Sequence, residues 1–334
     1  MKYEKLCYVN TLYPLFIFLL MENNKKSLIF LGKAIPKNIA ERIENGKYLN
    51  RSFKSKNKIK KYIEIYLTYK NLEKFIEKEK LSDKEIYLQD NMEYSQFFLN
   101  HIDNCFCLED GVINYNIEAL LTIKNEEGNN SKIKIFRDRF LKRCKRNYKV
   151  LGLSEKIKKI YLTELLEIPE IIKPKVEVIK IKEKWDKLSL EERNKLLYIF
   201  GLDNKLIEEL YKVKDKILLI TQPFSEDKFI SEEEKIGIYK DIINMYSREK
   251  IIIKPHPREK TEYTSIFPEI EVLQGSFPLE ILMLLGIKFK EVVTIYSTAA
   301  LNFKGVTNIN YLGTVNYPKI MRKFGKIEKI YYKI

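Results

Sequence analysis

Four short groups of polar residues in this chain have the side chains that bind anions or transfer protons. In chain order they are Glu109-Asp110-Gly111, Lys254-Pro255-His256-Pro257, Glu280 and Ser297-Thr298. A carboxylate can act as a general base, and an imidazole can donate or accept a proton near neutral pH. Hydroxyls next to free backbone amides can hold a phosphate. The set suits an anionic ligand and a reaction that moves a proton.

The histidine group has the most restricted backbone. The β-branched run at 251–253 leads into His256, and the proline after it disfavours the α conformation there. Lys254 and Arg258 add positive charge on both sides. An imidazole at a strand end among cations suits a ligand such as phosphate. A strand followed by an ordinary proline turn is the alternative.

The other three groups also have a structural alternative. Asp110 could be a base that Gly111 lets a substrate approach, or the two acids before the glycine could form a turn. Glu280 could accept both hydroxyls of a ribose, or place a favourable charge in a first helical turn. Ser297 and Thr298 could hold a phosphate or simply cap a helix.

Strands and helices alternate along the sequence. Strands are predicted over 6–9, 27–31, 85–88, 105–108, 217–220, 251–253 and 292–295, and helices over 12–21, 92–102, 188–211, 232–246 and 278–285, with a loop at 265–267. Lysines alternate with aromatic and aliphatic residues over 58–80. The alternation of strands and helices predicts an α/β fold with parallel sheets. Asn10 and Thr11 follow the first strand as a candidate helix cap, and Gln222 follows the strand at 217–220.

The length of 334 residues allows two domains. We predict an N-terminal domain over 1–150, a connector with helices over 151–212 and a C-terminal domain over 213–334. Pro169 and Pro174 interrupt the charged stretch at 155–184, which favours a connector with short strands. The basic stretch at 137–146 is predicted to be an amphipathic helix with a solvated face, and contact of its arginines with an acidic glycolipid or membrane is the alternative. Those arginines are Arg137, Arg139, Arg143 and Arg146.

Composition excludes several classes of protein. The net charge of +15 favours acidic partners, but lysines alternate with glutamates, so a solvated basic surface is preferred over a nucleic-acid-binding protein, which stays the third alternative. Four cysteines without a Cys-x-x-Cys pair and only two histidines predict no metal site. The nucleotide-binding motifs G-x-G-x-x-G and G-x-x-x-x-G-K-[ST] are missing, and no cofactor is expected.

The predicted location follows from the cysteines and the apolar segments. Without a disulfide framework or a secretory signal, a cytoplasmic protein is expected. The apolar run at 12–21 is too short to span a bilayer, which leaves peripheral contact at the inner membrane face compatible with the sequence.

The order of the four groups resembles the bacterial sialyltransferases. Their shared motifs are D/E-D/E-G, HP and S/T-S/T, and Glu280 falls where those enzymes place a ribose ligand. Within them the chain is most similar to glycosyltransferase family 52, the lipooligosaccharide sialyltransferases. The closer similarity rests on Cys-Tyr-Val-Asn-Thr-Leu-Tyr-Pro-Leu at 7–15, Thr-Gln-Pro at 221–223 and Lys-Pro-His-Pro-Arg-Glu at 254–259.

The resemblance implies a fold and a reaction. The fold would be GT-B, with two Rossmann-like domains facing across a cleft. The reaction would be inverting, metal-independent transfer of sialic acid from CMP-N-acetylneuraminic acid to a terminal galactose of a lipooligosaccharide or related surface glycan. Asp110 would be the general base, and His256 would contact the donor phosphate. The CMP-sugar would also be bound by Pro257, Glu280, Ser297, Thr298, Lys254 and Gln222, with Asn10, Thr11 and Gly111 as further candidates.

Two features stay open within this resemblance. Transfer of another sugar, from CMP-Kdo or as a hexose, to a lipid-linked glycan is the second prediction, because family members include hexosyltransferases. A homodimer is also compatible with the family.

Overall fold

Two compact units make up the chain, Met1–Leu196 and Leu197–Ile334. The computed structural model describes residues 3–22, 26–49, 58–92, 94–125, 149–213 and 215–334. The predicted basic helix at 137–146, with its four arginines, lies outside these residues.

The first unit contains a seven-stranded parallel sheet. Its strands are β1 (Lys5–Val9), β2 (Ser27–Leu31), β3 (Gly46–Tyr48), β4 (Glu85–Leu88), β5 (Asn104–Leu108), β6 (Ile157–Leu162) and β7 (Val176–Val178). They are arranged in the order β3-β2-β1-β4-β5-β6-β7. Every neighbouring pair is parallel. This order is that of a doubly wound Rossmann-like sheet and confirms the predicted α/β class.

Helices accompany this sheet along the chain. They are α1 (Leu12–Met21), α2 (Lys37–Ala40), α3 (Lys58–Lys78), α4 (Ser95–His101), α5 (Ile117–Asn125), α6 (Ile181–Lys187) and α7 (Leu190–Ile199), with 3-10 helices at Gly111–Tyr115 and Lys173–Lys175. The apolar α1 is buried over most of its length, as expected for a helix without a polar face. No helix in the described ranges has both the length and the apolar character needed to cross a membrane.

The second unit repeats the same strand order. Its strands are β8 (Ile217–Ile220), β9 (Ile251–Lys254), β10 (Glu271–Val272), β11 (Glu291–Thr294), β12 (Asn308–Tyr311) and β13 (Ile330–Tyr332). The order is β10-β9-β8-β11-β12-β13, and only β13 runs antiparallel to its neighbour among these strands. Its helices are α8 (Asn204–Lys212), α9 (Glu232–Ile243), α10 (Tyr263–Ile266), α11 (Glu280–Leu284) and α12 (Pro318–Phe324), with 3-10 helices at Arg248–Lys250 and Thr298–Phe303.

The predicted division at residue 150 differs from the structure. Strands β6 and β7 come from the stretch assigned to a connector, yet both join the first sheet through parallel pairing. The first unit therefore continues to Leu196. The stretch resembles a connector because Lys158 and Lys159 are exposed in β6, and because β7 is a short edge strand without a fully buried residue.

Two smaller predictions also change. The helix predicted over 188–211 is divided into α7 and α8 by Gly201, whose φ of +79° lies in the left-handed region. Asp203 then caps α8 by accepting a 2.8 Å hydrogen bond from the Leu206 amide. The loop predicted at 265–267 begins with the last two residues of α10.

Candidate active site

In both sheets the strand order reverses beside the first strand, between β1 and β4 and between β8 and β11. In doubly wound sheets, ligands bind at the carboxyl ends of the strands at such a switch point. Asp110 follows β5 in the first unit. His256 follows β9 and Ser297 follows β11 in the second. The sheet order thus places these predicted site residues at ligand-binding edges.

Asp110 accepts hydrogen bonds from neutral side chains at these strand ends. The Gln89 amide donates to Oδ1 at 2.6 Å, and the Asn91 amide donates to Oδ2 at 3.0 Å. The Thr11 hydroxyl lies at a longer 3.5 Å from Oδ1. Burial raises the pKa of Asp110, and these hydrogen bonds oppose the shift only in part. A carboxylate with a raised pKa is a better proton acceptor.

Gln89 organises this cluster, although the sequence analysis did not select it. Its side chain is fully buried, and its Oε1 accepts the backbone amides of Asn10 at 2.6 Å and Thr11 at 3.2 Å. Its Nε2 donates to both Asp110 and the Thr11 hydroxyl, the latter at 3.0 Å. One amide side chain therefore connects the ends of β1, β4 and β5. A glutamine directly after a strand at the switch point is the sequence signal for this role.

The weaker candidates in the first unit have structural roles here. Thr11 occupies the N-cap position of α1, but its hydroxyl makes no capping hydrogen bond and bonds with Gln89 instead. Asn10 Oδ1 accepts the Ala34 amide at 3.3 Å. A Cβ added at Gly32 would lie 2.1 Å from this oxygen, so the glycine permits the close approach. Gly111 supplies a φ of +67° at the turn that follows Asp110.

Glu109 differs from its neighbour Asp110 in burial, because Glu109 has no exposed surface whereas Asp110 is only partly buried. Oε2 accepts the Thr163 amide, the Thr163 hydroxyl at 2.8 Å and the Tyr115 hydroxyl at 3.2 Å. Oε1 accepts the Tyr13 hydroxyl at 3.3 Å. Burial raises the pKa of Glu109 to about 7, against the opposing effect of these donors. Glu109 therefore anchors the strand end, and Asp110 is the better candidate base.

His256 has a defined tautomer in the second unit. The Arg258 backbone amide donates to its Nδ1 at 3.1 Å, so Nδ1 is the acceptor and the proton of the neutral ring resides on Nε2. Burial, together with the charges of Arg258 and Lys254, lowers the pKa of His256 to about 4. At neutral pH the ring is an uncharged donor through Nε2.

Lys254 provides a buried positive charge behind this ring. The residue is 3% exposed, and its Nζ donates to the carbonyl of Gly275 at 2.8 Å and to that of Pro255 at 3.3 Å. It also lies 4.7 Å from the centre of the Phe277 ring. Burial lowers the pKa of Lys254 to about 8. These contacts bring the loop at 275–277 to the end of β9.

Gln222 and the two hydroxyl residues lie at the ends of adjacent strands. The Gln222 Oε1 accepts the Tyr296 amide at 3.3 Å, which connects the end of β8 to the turn after β11. Thr298 begins a 3-10 helix, and Ser297 precedes it as the N-cap residue without a capping hydrogen bond. Within the described part of the chain, the hydroxyls of Ser297 and Thr298 have no hydrogen-bond partner. Both are available to a ligand.

Glu280 is a buried carboxylate that begins α11. It is 4% exposed, and its Oε1 accepts the Asn302 amide at 2.6 Å. Asn302 belongs to the 3-10 helix that starts at Thr298. This hydrogen bond joins Glu280, the candidate residue for binding ribose, to the 3-10 helix that begins at the candidate phosphate-binding residue Thr298. Pro257 is exposed and has no backbone N–H to donate, so its contribution is a restricted backbone.

No three histidine, cysteine, aspartate or glutamate side chains of the described residues are grouped to hold a metal ion.

The sequence matches the model of glycosyltransferase family 52 over residues 23–316. The chain belongs to glycosyltransferase family 52. A Haemophilus influenzae protein, described as an uncharacterized protein, is 38% identical over 249 residues, which cover 75% of this chain and 74% of that one. The family assignment confirms the resemblance inferred from the motifs and identifies the protein as a glycosyltransferase.

Solved structures give this family 52 glycosyltransferase its fold class. An α/β-galactoside α-2,3-sialyltransferase from Photobacterium phosphoreum aligns with a TM-score of 0.59 at 13% identity, over 92% of this chain and 90% of that one. A 2,6-sialyltransferase from Photobacterium sp. JT-ISH-224, solved with CMP and lactose, aligns with a TM-score of 0.55 at 13% identity, over 88% of this chain and 68% of that one. The family 52 chain has the α/β GT-B architecture.

Proposed function

We propose that this glycosyltransferase transfers sialic acid from CMP-N-acetylneuraminic acid to a terminal galactose of a lipooligosaccharide or related surface glycan. The observation that supports it most is the carboxyl edge of the second sheet. It presents an imidazole N–H donor, a buried carboxylate, and two hydroxyls that have no hydrogen-bond partner among the described residues. These groups suit the phosphate and ribose of a nucleoside monophosphate. The sialyltransferase motifs and the similar sialyltransferase structures support CMP and sialic acid.

The second unit would bind the donor. His256 would donate from Nε2 to the phosphate, and the hydroxyls of Ser297 and Thr298 would donate to other phosphate oxygens. Glu280 would accept both ribose hydroxyls. The positive charge of Lys254 would attract the phosphate, and Gln222, which follows β8, would also contact the CMP-sugar.

Asp110 would remove the proton from the acceptor hydroxyl. The freed oxygen attacks the anomeric carbon as the bond from that carbon to the phosphate oxygen breaks, and the bonding electrons leave with CMP. Attack from the opposite face inverts the anomeric centre. Because CMP is a weak base, His256 acts mainly by stabilising the developing charge on the phosphate. We propose that this chemistry needs neither a metal ion nor a cofactor.

A direct assay tests the reaction. Purified protein with CMP-N-acetylneuraminic acid and lactose should form sialyllactose in the presence of a chelator, at the same rate as without it. Chromatography of the products and NMR of their linkage provide the measurement. Failure on all galactosyl acceptors, together with transfer from CMP-Kdo or from an activated hexose, would replace this proposal with the second sugar.

We also propose where the enzyme works. A cytoplasmic enzyme in peripheral contact with the inner membrane face suits a lipid-linked acceptor. Fractionation of cells should recover part of the protein with membranes, from which high salt releases it. Recovery in the membrane-free fraction alone at low salt would contradict the contact.

A further inference from the structure

A buried carboxylate lies under the loop that carries His256. The Glu259 side chain is 1% exposed. Its Oε1 accepts the His256 backbone amide at 2.7 Å and the Thr221 hydroxyl at 2.6 Å. Its Oε2 accepts the Tyr263 hydroxyl at 2.6 Å. One carboxylate therefore holds the His256 backbone against the end of β8 and against α10.

A fully buried lysine lies beside this carboxylate. Lys235 of α9 has no exposed side-chain surface, and its Nζ lies 3.6 Å from Glu259, 2.9 Å from Glu226 and 3.3 Å from Glu232. Glu226 also accepts the Lys260 backbone amide at 2.6 Å. Two backbone amides of the loop at 256–260 are thus fixed by carboxylates that share one buried cation. Burying a charge is costly unless it is paired. Removing one partner of a buried ion pair destabilises a protein by more than the intact pair stabilises it, because the other charge is left buried and unpaired.

Arg258 completes the attachment at the surface. Its guanidinium forms two hydrogen bonds with Asp227, at 2.7 and 3.0 Å, and its own backbone amide holds Nδ1 of His256. The Glu259 bond fixes the backbone of His256, and the Arg258 amide fixes its ring. Both bonds depend on the same tight turn, in which the Glu259 amide also donates to the His256 carbonyl at 2.9 Å.

We propose that Glu259, paired with Lys235, is the positioning residue that holds the His256 imidazole with its Nε2 proton toward the phosphate of the nucleotide sugar. Glu259 does not touch the substrate and acts only through His256. The catalytic consequence rests on the proposed function, whereas the effect on the imidazole does not. A glutamate three residues after the histidine is the sequence pattern of this role.

NMR of the histidine rings tests the structural part without any substrate. The chain has only two histidines, so protein labelled with ¹⁵N-histidine gives two sets of ring signals, and His256→Ala assigns them. Glu259→Ala should move the His256 ring nitrogens away from the pure Nε2–H tautomer and leave those of His101 unchanged. Glu259→Gln, which keeps an acceptor oxygen, should keep the His256 ring nitrogens close to their wild-type chemical shifts. The exposed Glu262 changed to Ala is the matched control and should change neither ring.

Unchanged His256 signals in Glu259→Ala would overturn the proposal. If that variant does not fold, Glu259→Met keeps the test open, because it removes both acceptor oxygens and retains the length of the side chain. A folded Glu259→Met protein with a wild-type ring spectrum would equally reject the role.

Kinetics then separate positioning from general stability. Glu259→Ala should lower kcat/KM for the nucleotide sugar on the order of 10²-fold, the effect expected of a misplaced catalytic group. In His256→Ala the same change should have almost no further effect, because Glu259 acts only through that ring. Additive losses in the double variant would show a merely structural role. If the protein uses another sugar donor, the same cycle is run with that donor, so failure of the proposed function leaves this result readable.

Discussion

The carboxyl ends of the two sheets share one strand order but present opposite chemistry. In the first unit, Asp110 is surrounded by neutral amide and hydroxyl donors. In the second, His256 has the charges of Lys254 and Arg258 nearby. Burial is the largest influence on the pKa in both places, and it raises that of Asp110 and lowers that of His256. The same backbone arrangement therefore yields a proton acceptor in one unit and a neutral donor for an anion in the other.

The largest effect should come from removing the proton acceptor of the first unit, the Asp110 carboxylate. Asp110→Asn keeps the size of the side chain and should lower kcat about 10²- to 10⁴-fold with little change in CMP affinity. Wild-type kcat/KM should rise with pH through the raised pKa of Asp110, because only the ionised form accepts the proton. Steady-state kinetics and CMP titration measure both, with the exposed Asp103→Asn as control. Near-normal turnover in Asp110→Asn would end the assignment of the base.

Removing the hydrogen-bond donor of the second unit, the His256 imidazole, should affect CMP binding as well as turnover. His256→Ala should lower kcat about 10²- to 10³-fold, as loss of one transition-state hydrogen bond does, and should also weaken CMP binding. Calorimetry with CMP and single-turnover kinetics separate the two effects, with the exposed Thr264→Ala as control. A variant with full CMP affinity and normal turnover would remove the contrast between the two units.

A smaller effect should distinguish ribose from phosphate recognition. Glu280→Gln should bind CMP about tenfold more weakly, because a hydrogen bond to a charged acceptor becomes a neutral one. Its preference for CMP over 2′-deoxy-CMP should decrease at the same time. Competition binding gives both values, and the exposed Glu249→Gln serves as control. An unchanged preference would place the ribose elsewhere.

The smallest effect concerns the stability of the first unit. The folded-state pKa of Glu109, about 7, lies above the ordinary value of 4.5, so the folded state holds the proton more tightly. The stability that the protonated Glu109 carboxyl contributes is therefore fully present below pH 4.5 and declines as pH rises through 7. Glu109→Gln, which cannot ionise, should unfold at a lower temperature than wild type, and this difference should shrink between pH 5 and pH 8. Thermal unfolding followed by circular dichroism measures it, and a constant difference would contradict the shift.

Strands with a continuous apolar sequence were predictable from the sequence. The predictions at 27–31, 85–88 and 217–220 match β2, β4 and β8 because these strands lie inside parallel sheets. Short strands were predicted in the connector, but the membership of β6 and β7 in the first sheet was not, because lysines and a glutamate give them the composition of a connector. Residue types alone mark strands only where both faces of the sheet are covered.

The candidate site was predictable only in part. Asp110 and His256 were selected because their own neighbours along the chain are distinctive. Gln89, Glu259 and Lys235 were missed because their roles depend on strands and helices that are distant in sequence. Residues that hold others in place become visible only after the elements pack.

The turn that carries His256 also fixes the charge state of its ring. The Arg258 amide donates to Nδ1, so a proton on that atom would bring two N–H groups together. With a pKa of about 4, the ring stays uncharged through the neutral pH range. An anion bound at Nε2 would therefore meet the same uncharged donor throughout that range, and the histidine itself would add no pH dependence to the binding.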